Sequence, residues 1–221
     1  MAELDGPRLE PRSGKAKNLV VFLHGYGADG NDLIDIGRAW QALLPDTAFV
    51  SPHAPRPCGQ SPMGREWFPL TMRDPSERWR GVNSAAPILN SFLDAELARR
   101  QLSPSKLALV GFSQGTMMSL HVGLRREVAP AAIVGYSGML VTPDVEAEAD
   151  TFAQEIRSRP PVLLIHGDQD PLIPVQALLH AAQALAALEL PVEWHISPGV
   201  GHGIDQEGLR HGGEFLARHL R

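Results

Sequence analysis

A single cysteine, Cys58, is present among the 221 residues, so no disulfide can form within the chain. One free thiol suits a reducing compartment, and the cytoplasm is the expected location. Long apolar runs are missing too, since none approaches the roughly 20 residues of a bilayer-spanning helix. The first residues, MAELDGPRLEPRSGKAKNL, include no apolar stretch of signal-peptide length. Stable membrane insertion is therefore not expected. Positive charge is also short: 20 Lys and Arg stand against 25 Asp and Glu, for a net charge of -5. That balance argues against nucleic acid as a partner, which would need a basic face. Arg73, Arg78 and Arg80 do gather, but Asp74 and Glu77 sit among them, which reads as a solvated face.

What remains is an ordinary globular composition, 43% hydrophobic and 20% charged. A chain of this length buries roughly 70% of its unfolded surface and needs no structural metal to do so. No linker, repeat or low-complexity tract divides it, so residues 1–221 are expected to form one domain. Short apolar, β-branched runs alternate with stretches of helical period. The predicted strands are Asn18–Leu23, Thr47–Ser51, Leu107–Val110, Ala131–Tyr136, Val162–Ile165 and Val192–Ile196. Several are apolar at nearly every position, as strands covered on both faces are. Helical stripes fall at Leu33, Ile36, Trp40 and Leu44, and at Ile88 to Leu97, the second with Ser84 as N-cap and Pro87 in its first turn. Two more follow at Val175 to Ala186 and Leu209 to Leu220, while Asp144 to Ile156 has a weaker pattern. Strand–helix alternation of this kind implies an α/β fold with a mostly parallel central sheet and helices on both faces.

One region, about 52–81, has no period and is rich in Pro, Gly, Arg and aromatics. Met63, Trp67, Phe68 and Leu70 would be costly to leave in water, so an ordered flap near a site is the expectation.

The chemistry concentrates at three strand ends. In LALVGFSQGTMMSLHVGL an apolar strand runs into Gly111-Phe112-Ser113-Gln114-Gly115, and helix-compatible sequence follows at once. This is G-x-S-x-G in the strand–turn–helix context that gives it meaning. Side chains at Gly111 and Gly115 would clash in so sharp a turn, and Ser113 would stand proud of the sheet as a nucleophile. A serine hydroxyl needs a base, and histidine suits the task. Of the five histidines beyond residue 170, His180, His211 and His219 fall on helical stretches and His195 lies within a strand. His202 sits in Gly199-Val200-Gly201-His202-Gly203, where glycines let a loop fold over the sheet edge. The orienting carboxylate lies in PPVLLIHGDQDPLIPV, where Asp168 and Asp170 both qualify. Spacing alone does not separate them, although Pro171 and Pro174 favour Asp170 slightly as the held group.

Leu19 to Leu23 leads into His24-Gly25-Tyr26-Gly27-Ala28-Asp29-Gly30. Its glycines spell the G-x-G-x-x-G dinucleotide fingerprint, which would make the protein an oxidoreductase. The acid expected to end the next strand is missing, because the chain there reads Phe49-Val50-Ser51-Pro52. The same residues fit an HGxG oxyanion loop, with the backbone N–H groups of Tyr26 and Gln114 as donors. His166, Asp168 and Asp170 have a spacing like that of metal ligands, but no second cluster of comparable density accompanies them, and no metal is expected.

Together FLHGYGADG, SPHAP at 51 to 55, GFSQG, HGDQDPLIPV and GVGHG resemble, in that order, the phospholipase/carboxylesterase family of small α/β hydrolases. That family includes bacterial carboxylesterases and acyl-protein thioesterases. The resemblance runs from Phe22 to Gly203. It implies the α/β-hydrolase fold, Ser113 as nucleophile, His202 as base and Asp170 as its partner. It also implies an acyl groove to which Leu172 and the Trp67 region contribute, a small-molecule ester or thioester substrate, no cofactor, and a possible homodimer. Two positions depart from the pattern. Tyr26 stands where leucine is common and would crowd the pocket mouth; Thr116 stands where glycine is common.

Overall fold

In the computed structural model, residues 4–71, 74, 76–143 and 149–220 are described. Arg73 and the start of the weakly patterned segment, 144–148, lie outside them. Six of the strands the sequence predicts form the body of one sheet: β2 (Asn18–Leu23), β3 (Thr47–Val50), β6 (Leu107–Phe112), β7 (Ala132–Tyr136), β8 (Val162–Gly167) and β9 (Val192–Ser197). They run parallel in the order β3-β2-β6-β7-β8-β9. A two-residue strand, β1 (Arg8–Leu9), adds antiparallel to β3 at one edge.

Alternate residues of each strand face opposite sides, and both sides are apolar. Val20, Phe22, Phe49, Ala108, Val110 and Val134 pack with helices α1 (Ile34–Trp40) and α6 (Gln206–His219). Leu19, Val21, Leu23, Val50, Leu107 and Leu109 pack with α2 (Glu77–Arg100) and α3 (Gln114–Gly123). Farther along that second side, Ile133, Val162 and Leu164 meet α5 (Gln176–Ala187) and Phe152 of α4 (Ala149–Glu155). Every residue of β2, β3, β7 and β8 is buried, which is why those strands read as unbroken apolar runs.

Two expectations are corrected. Helix α2 does not start at Ser84 but seven residues earlier, at Glu77, with Pro87 in its interior. Pro87 lacks an N–H for the carbonyl of Asn83, yet both residues are exposed, so water can take that carbonyl's place in the ladder. The hydroxyls of Ser84 and Ser91 are spent within the helix, donating to the carbonyls of Gly81 and Pro87. The region 52–81 is also not a plain loop. It carries an antiparallel hairpin, β4 (Arg56–Cys58) and β5 (Ser61–Glu66), irregular at Pro57/Cys58. Trp67 and Phe68 are buried as expected and Leu70 packs against the core, whereas Met63 within β5 is 91% exposed.

Two buried histidines make the fold acid-sensitive. Burial pushes His24 down to about 4, against a weaker opposing pull from the Gly25 carbonyl. Burial, assisted by the Arg125 guanidinium, pushes His121 down to about 3. The unfolded chain takes up these protons near pH 6.5 while the folded chain refuses them. Stability is thus complete above that pH and is lost as pH falls toward 4, by on the order of 3 kcal/mol for His24 alone. Urea midpoints measured from pH 7 to pH 4 should fall steadily. A His121→Gln protein should show a shallower fall, and a flat profile for the parent protein would contradict the assignment.

Candidate active site

The parallel strands deliver their carboxyl ends to one edge of the sheet, where open α/β sheets bind ligands. The register fixes the neighbours there: Leu23 lies beside Gly111, Phe112 beside Tyr136, and Gly167 beside Ser197. Strand β6, which carries the nucleophile candidate, is central in the sheet.

Ser113 joins β6 to α3 with φ 53° and ψ −114°, a conformation that L-residues adopt only under constraint. The glycine expectation holds in detail. A Cβ on Gly111 would lie 2.4 Å from the carbonyl of Gly115, and one on Gly115 would lie 1.7 Å from the Leu23 carbonyl oxygen. The turn is tied to β7, since Ser113 N–H donates to the Tyr136 carbonyl at 2.9 Å. Thr116, the unusual residue after the turn, shares its hydroxyl between the Gly111 and Tyr136 carbonyls, each at 2.9 Å. Its bulk is accommodated by glycine at 138, where a Cβ would come within 2.3 Å of Thr116 Cβ.

The structure separates the two aspartates that spacing could not. Asp170 is buried, and its Oδ2 lies 2.7 Å from His202 Nδ1. Its Oδ1 accepts from the N–H groups of Leu172 and Ile173, both at 2.9 Å. Burial alone would raise this carboxyl. The Ile173 and Leu172 N–H groups and the His202 imidazole outweigh it, so the group stays below the usual carboxylate range and ionised. Asp168 is exposed and accepts from Gly199 N–H at 2.7 Å, pinning the loop that carries His202. Gln169 N–H to the Val200 carbonyl and Ser137 Oγ to the Gly203 carbonyl hold the same loop. The Phe112 ring, next to the nucleophile candidate, packs on the His202 ring with centroids 5.0 Å apart. His166 is buried with Nε2 2.8 Å from the Ile173 carbonyl and 3.2 Å from Asp170 Oδ2, so it braces the carboxylate loop. With Asp168 committed to Gly199, these three do not converge on a metal.

The His24–Gly30 loop lies against this turn, since a Cβ on Gly25 would fall 3.4 Å from Ser113 Cβ. Its internal and cross-loop bonds, Gly27 N–H to Arg65 O and Ala28 N–H to Gly25 O, pass over the Tyr26 N–H. Gln114 occupies the first position of α3, where an N–H has no intrahelical acceptor. Both N–H groups are left without an acceptor by these bonds, beside the Ser113 turn. Sequence reading missed what holds them. The Gln114 side chain accepts from Trp67 N–H at 2.9 Å and donates to the Phe68 carbonyl at 2.8 Å. Trp67 Nε1 donates to the His24 carbonyl, and His24 Nε2 accepts from Ala54 N–H, each at 3.0 Å. The hairpin region is thus a strap across the His24–Gly30 loop and the start of α3. The expectation that Trp67 contributes to an acyl groove needs correction: at 1% exposure it has no surface to offer and acts as a brace. Tyr26 is tethered to the same hairpin, where burial and hydrogen bonds to Cys58 and Glu66 raise its hydroxyl well above the usual tyrosine range. Leu172, by contrast, is 67% exposed beside Asp170.

A groove of about 470 Å³ opens between the loop after β7 and helix α5, lined by Met139, Leu140, Pro174, Ala177, His180 and Ala181. Its two rims adjoin the site. Met139 follows Gly138, which abuts the Ser113 carbonyl, and Pro174 follows Ile173, which holds Asp170. Among the described residues no helix is long and apolar enough to cross a membrane.

A parallel sheet with a strained serine at its central strand–helix turn, and a buried aspartate two strands away paired with a half-buried histidine, defines the α/β-hydrolase class. The sequence profile of the phospholipase/carboxylesterase family matches residues 4–220, and the chain belongs to that family. The crystal structure of esterase PE8 is 45% identical and superposes with a TM-score of 0.93, covering 99% of this chain and 100% of that one. Acyl-protein thioesterase 1 of Gibberella zeae is 26% identical, over 97% of this chain and 95% of its own. Esterase YpfH of Escherichia coli is 27% identical, over 93% of this chain and 83% of its own.

Proposed function

We propose that the protein is a serine hydrolase that cleaves carboxylic esters with short- to medium-chain acyl groups through an acyl-enzyme. Ser113 Oγ attacks the carbonyl carbon and its proton passes to His202 Nε2. Asp170 holds Nδ1–H and stabilises the imidazolium that results. The N–H groups of Tyr26 and Gln114 meet the negative charge on the carbonyl oxygen. His202 then protonates the departing alcohol, and a water that it deprotonates releases the acid. The observation that carries this reading is the buried Asp170 carboxylate, held by two backbone N–H groups, 2.7 Å from His202 Nδ1 at the edge where Ser113 projects. The likeness to esterases supports it. Cys58, buried and unpaired, supports a reducing compartment such as the cytoplasm.

Hydrolysis of p-nitrophenyl esters of increasing acyl length should give the highest kcat/KM among the short and medium chains, with the Ser113→Ala protein inactive throughout. Equal activity of parent and variant would overturn the proposal. A second reading, thioester hydrolysis, is favoured by the likeness to acyl-protein thioesterases and by exposed Leu172 beside Asp170. Matched oxygen and sulfur esters of one acid, assayed in parallel, separate the two by their ratio of kcat/KM.

A further inference from the structure

We propose that His195, Glu207 and His211 form a binding site for a divalent transition-metal ion of the zinc and nickel type, outside the reaction centre. Residue spacing does not reveal it, because His195 belongs to β9 and the other two to α6. The fold brings these elements together. One ligand atom from each residue lies within 4.8 Å of the others. Glu207 and His211 are four residues apart on α6 and so share a face, with Oε1 and Nε2 3.7 Å apart. The His195 and His211 rings approach to 4.4 Å between centroids.

The sharpest sign is His195 Nε2, which is buried with no hydrogen-bond partner. A buried polar nitrogen left so is costly, and a metal ion is one partner that would satisfy it. His211 Nε2 lies 3.3 Å from an Arg210 guanidinium nitrogen, which can only donate, so the ring nitrogen presents its lone pair. That guanidinium opposes a cation: its Nη2 also lies 3.7 Å from Glu207 Oε1, so an ion must displace Nη2 from both ligands, while Nη1 keeps its two contacts to the Glu214 carboxylate at 2.9 Å. In a tetrahedral zinc shell with bonds of about 2.0 to 2.1 Å, ligand atoms stand about 3.3 Å apart, so side-chain rotations on the order of 1 Å complete the site. Two imidazoles and one carboxylate suit zinc, nickel or copper better than magnesium or calcium. A fourth position would be left to water.

The placement has a consequence for the hydrolase reading, though the metal site does not depend on it. His195 precedes and Glu207 follows the loop that carries His202, so a bound ion would tie the two ends of that loop together.

The test is titration of the chelator-treated full chain with zinc, followed by calorimetry, and with cobalt, followed by visible absorption. We expect one saturable site of micromolar affinity, an intense cobalt spectrum of low coordination number, and a zinc-dependent rise in Tm. His195→Asn and His211→Gln should each weaken binding at least about tenfold and remove the Tm rise. Glu207 is exposed, so Glu207→Gln should fold normally and still weaken binding, whereas Arg210→Gln should tighten it. Binding that is absent below about 1 mM, unchanged in these variants, or lost only in His202→Ala would overturn the proposal.

Discussion

Ser113→Ala should lower kcat for ester hydrolysis by about 10⁴ to 10⁶, the scale seen when one member of a cooperating triad is removed. The loss should not come through unfolding. The strained turn is imposed by its surroundings, with Ser113 N–H bonded to the Tyr136 carbonyl and Thr116 N–H to the Ser113 carbonyl, and alanine keeps both bonds. A backbone at φ 53° and ψ −114° costs any L-residue on the order of 1 to 3 kcal/mol. Glycine escapes most of that cost, at about 0.5 to 1 kcal/mol of extra chain entropy. Ser113→Gly should therefore be as inactive as Ser113→Ala and yet more stable, by about 1 kcal/mol. Urea denaturation of the three proteins checks this ordering. A glycine variant less stable than the alanine variant would show that the turn stores no strain, and the nucleophile reading would lose its structural signature.

Asp170→Asn should reduce kcat by about 10⁴ with KM little changed. The geometry says why. The Leu172 and Ile173 N–H groups both donate to Oδ1, so an asparagine must place its carbonyl oxygen there and its amide nitrogen where Oδ2 was. That nitrogen then donates toward His202 Nδ1, which must accept, and the ring's proton is driven to Nε2. A ring protonated at Nε2 cannot take the proton of Ser113. Asp168→Asn should cost far less, under about tenfold, because Asp168 only anchors the Gly199 N–H and an amide oxygen can do that too. Steady-state kinetics on the pair decides the matter. Equal losses in both variants, or a larger loss at residue 168, would reverse the assignment.

Much of this was legible in the chain. Strands β2, β3 and β6 to β8 announced themselves because a sheet covered on both faces demands apolar residues at nearly every position, whereas the edge strand β9 showed only the alternation of Val192, Trp194 and Ile196. The turn at Ser113 was legible because Gly111 and Gly115 are the only residue type those positions admit. Other parts were not. The start of α2 reads as ERWRG, charged and half-buried, and Pro87 suggests a boundary that solvent exposure makes unnecessary. The hairpin at 56–66 has Pro57, Pro62 and Gly64 in place of β-branched residues, and its worth lies in contacts to the oxyanion loop. A Cβ on Gly64 would sit 2.1 Å from the Gly27 carbonyl oxygen, a closeness visible only in three dimensions. The choice between Asp168 and Asp170 rests on burial and on which N–H groups each carboxylate faces. Neither is written in a two-residue spacing.

The measurement that bears most directly on the account is mass spectrometry of the intact protein and its peptides after reaction with a fluorophosphonate. Such a reagent reports a serine activated by its neighbours, not serine in general. One adduct per chain is expected, carried by the peptide that contains Ser113, formed rapidly in the parent protein and far more slowly in His202→Ala. An adduct on another residue, or full ester hydrolysis from a protein that takes up no label, would contradict it.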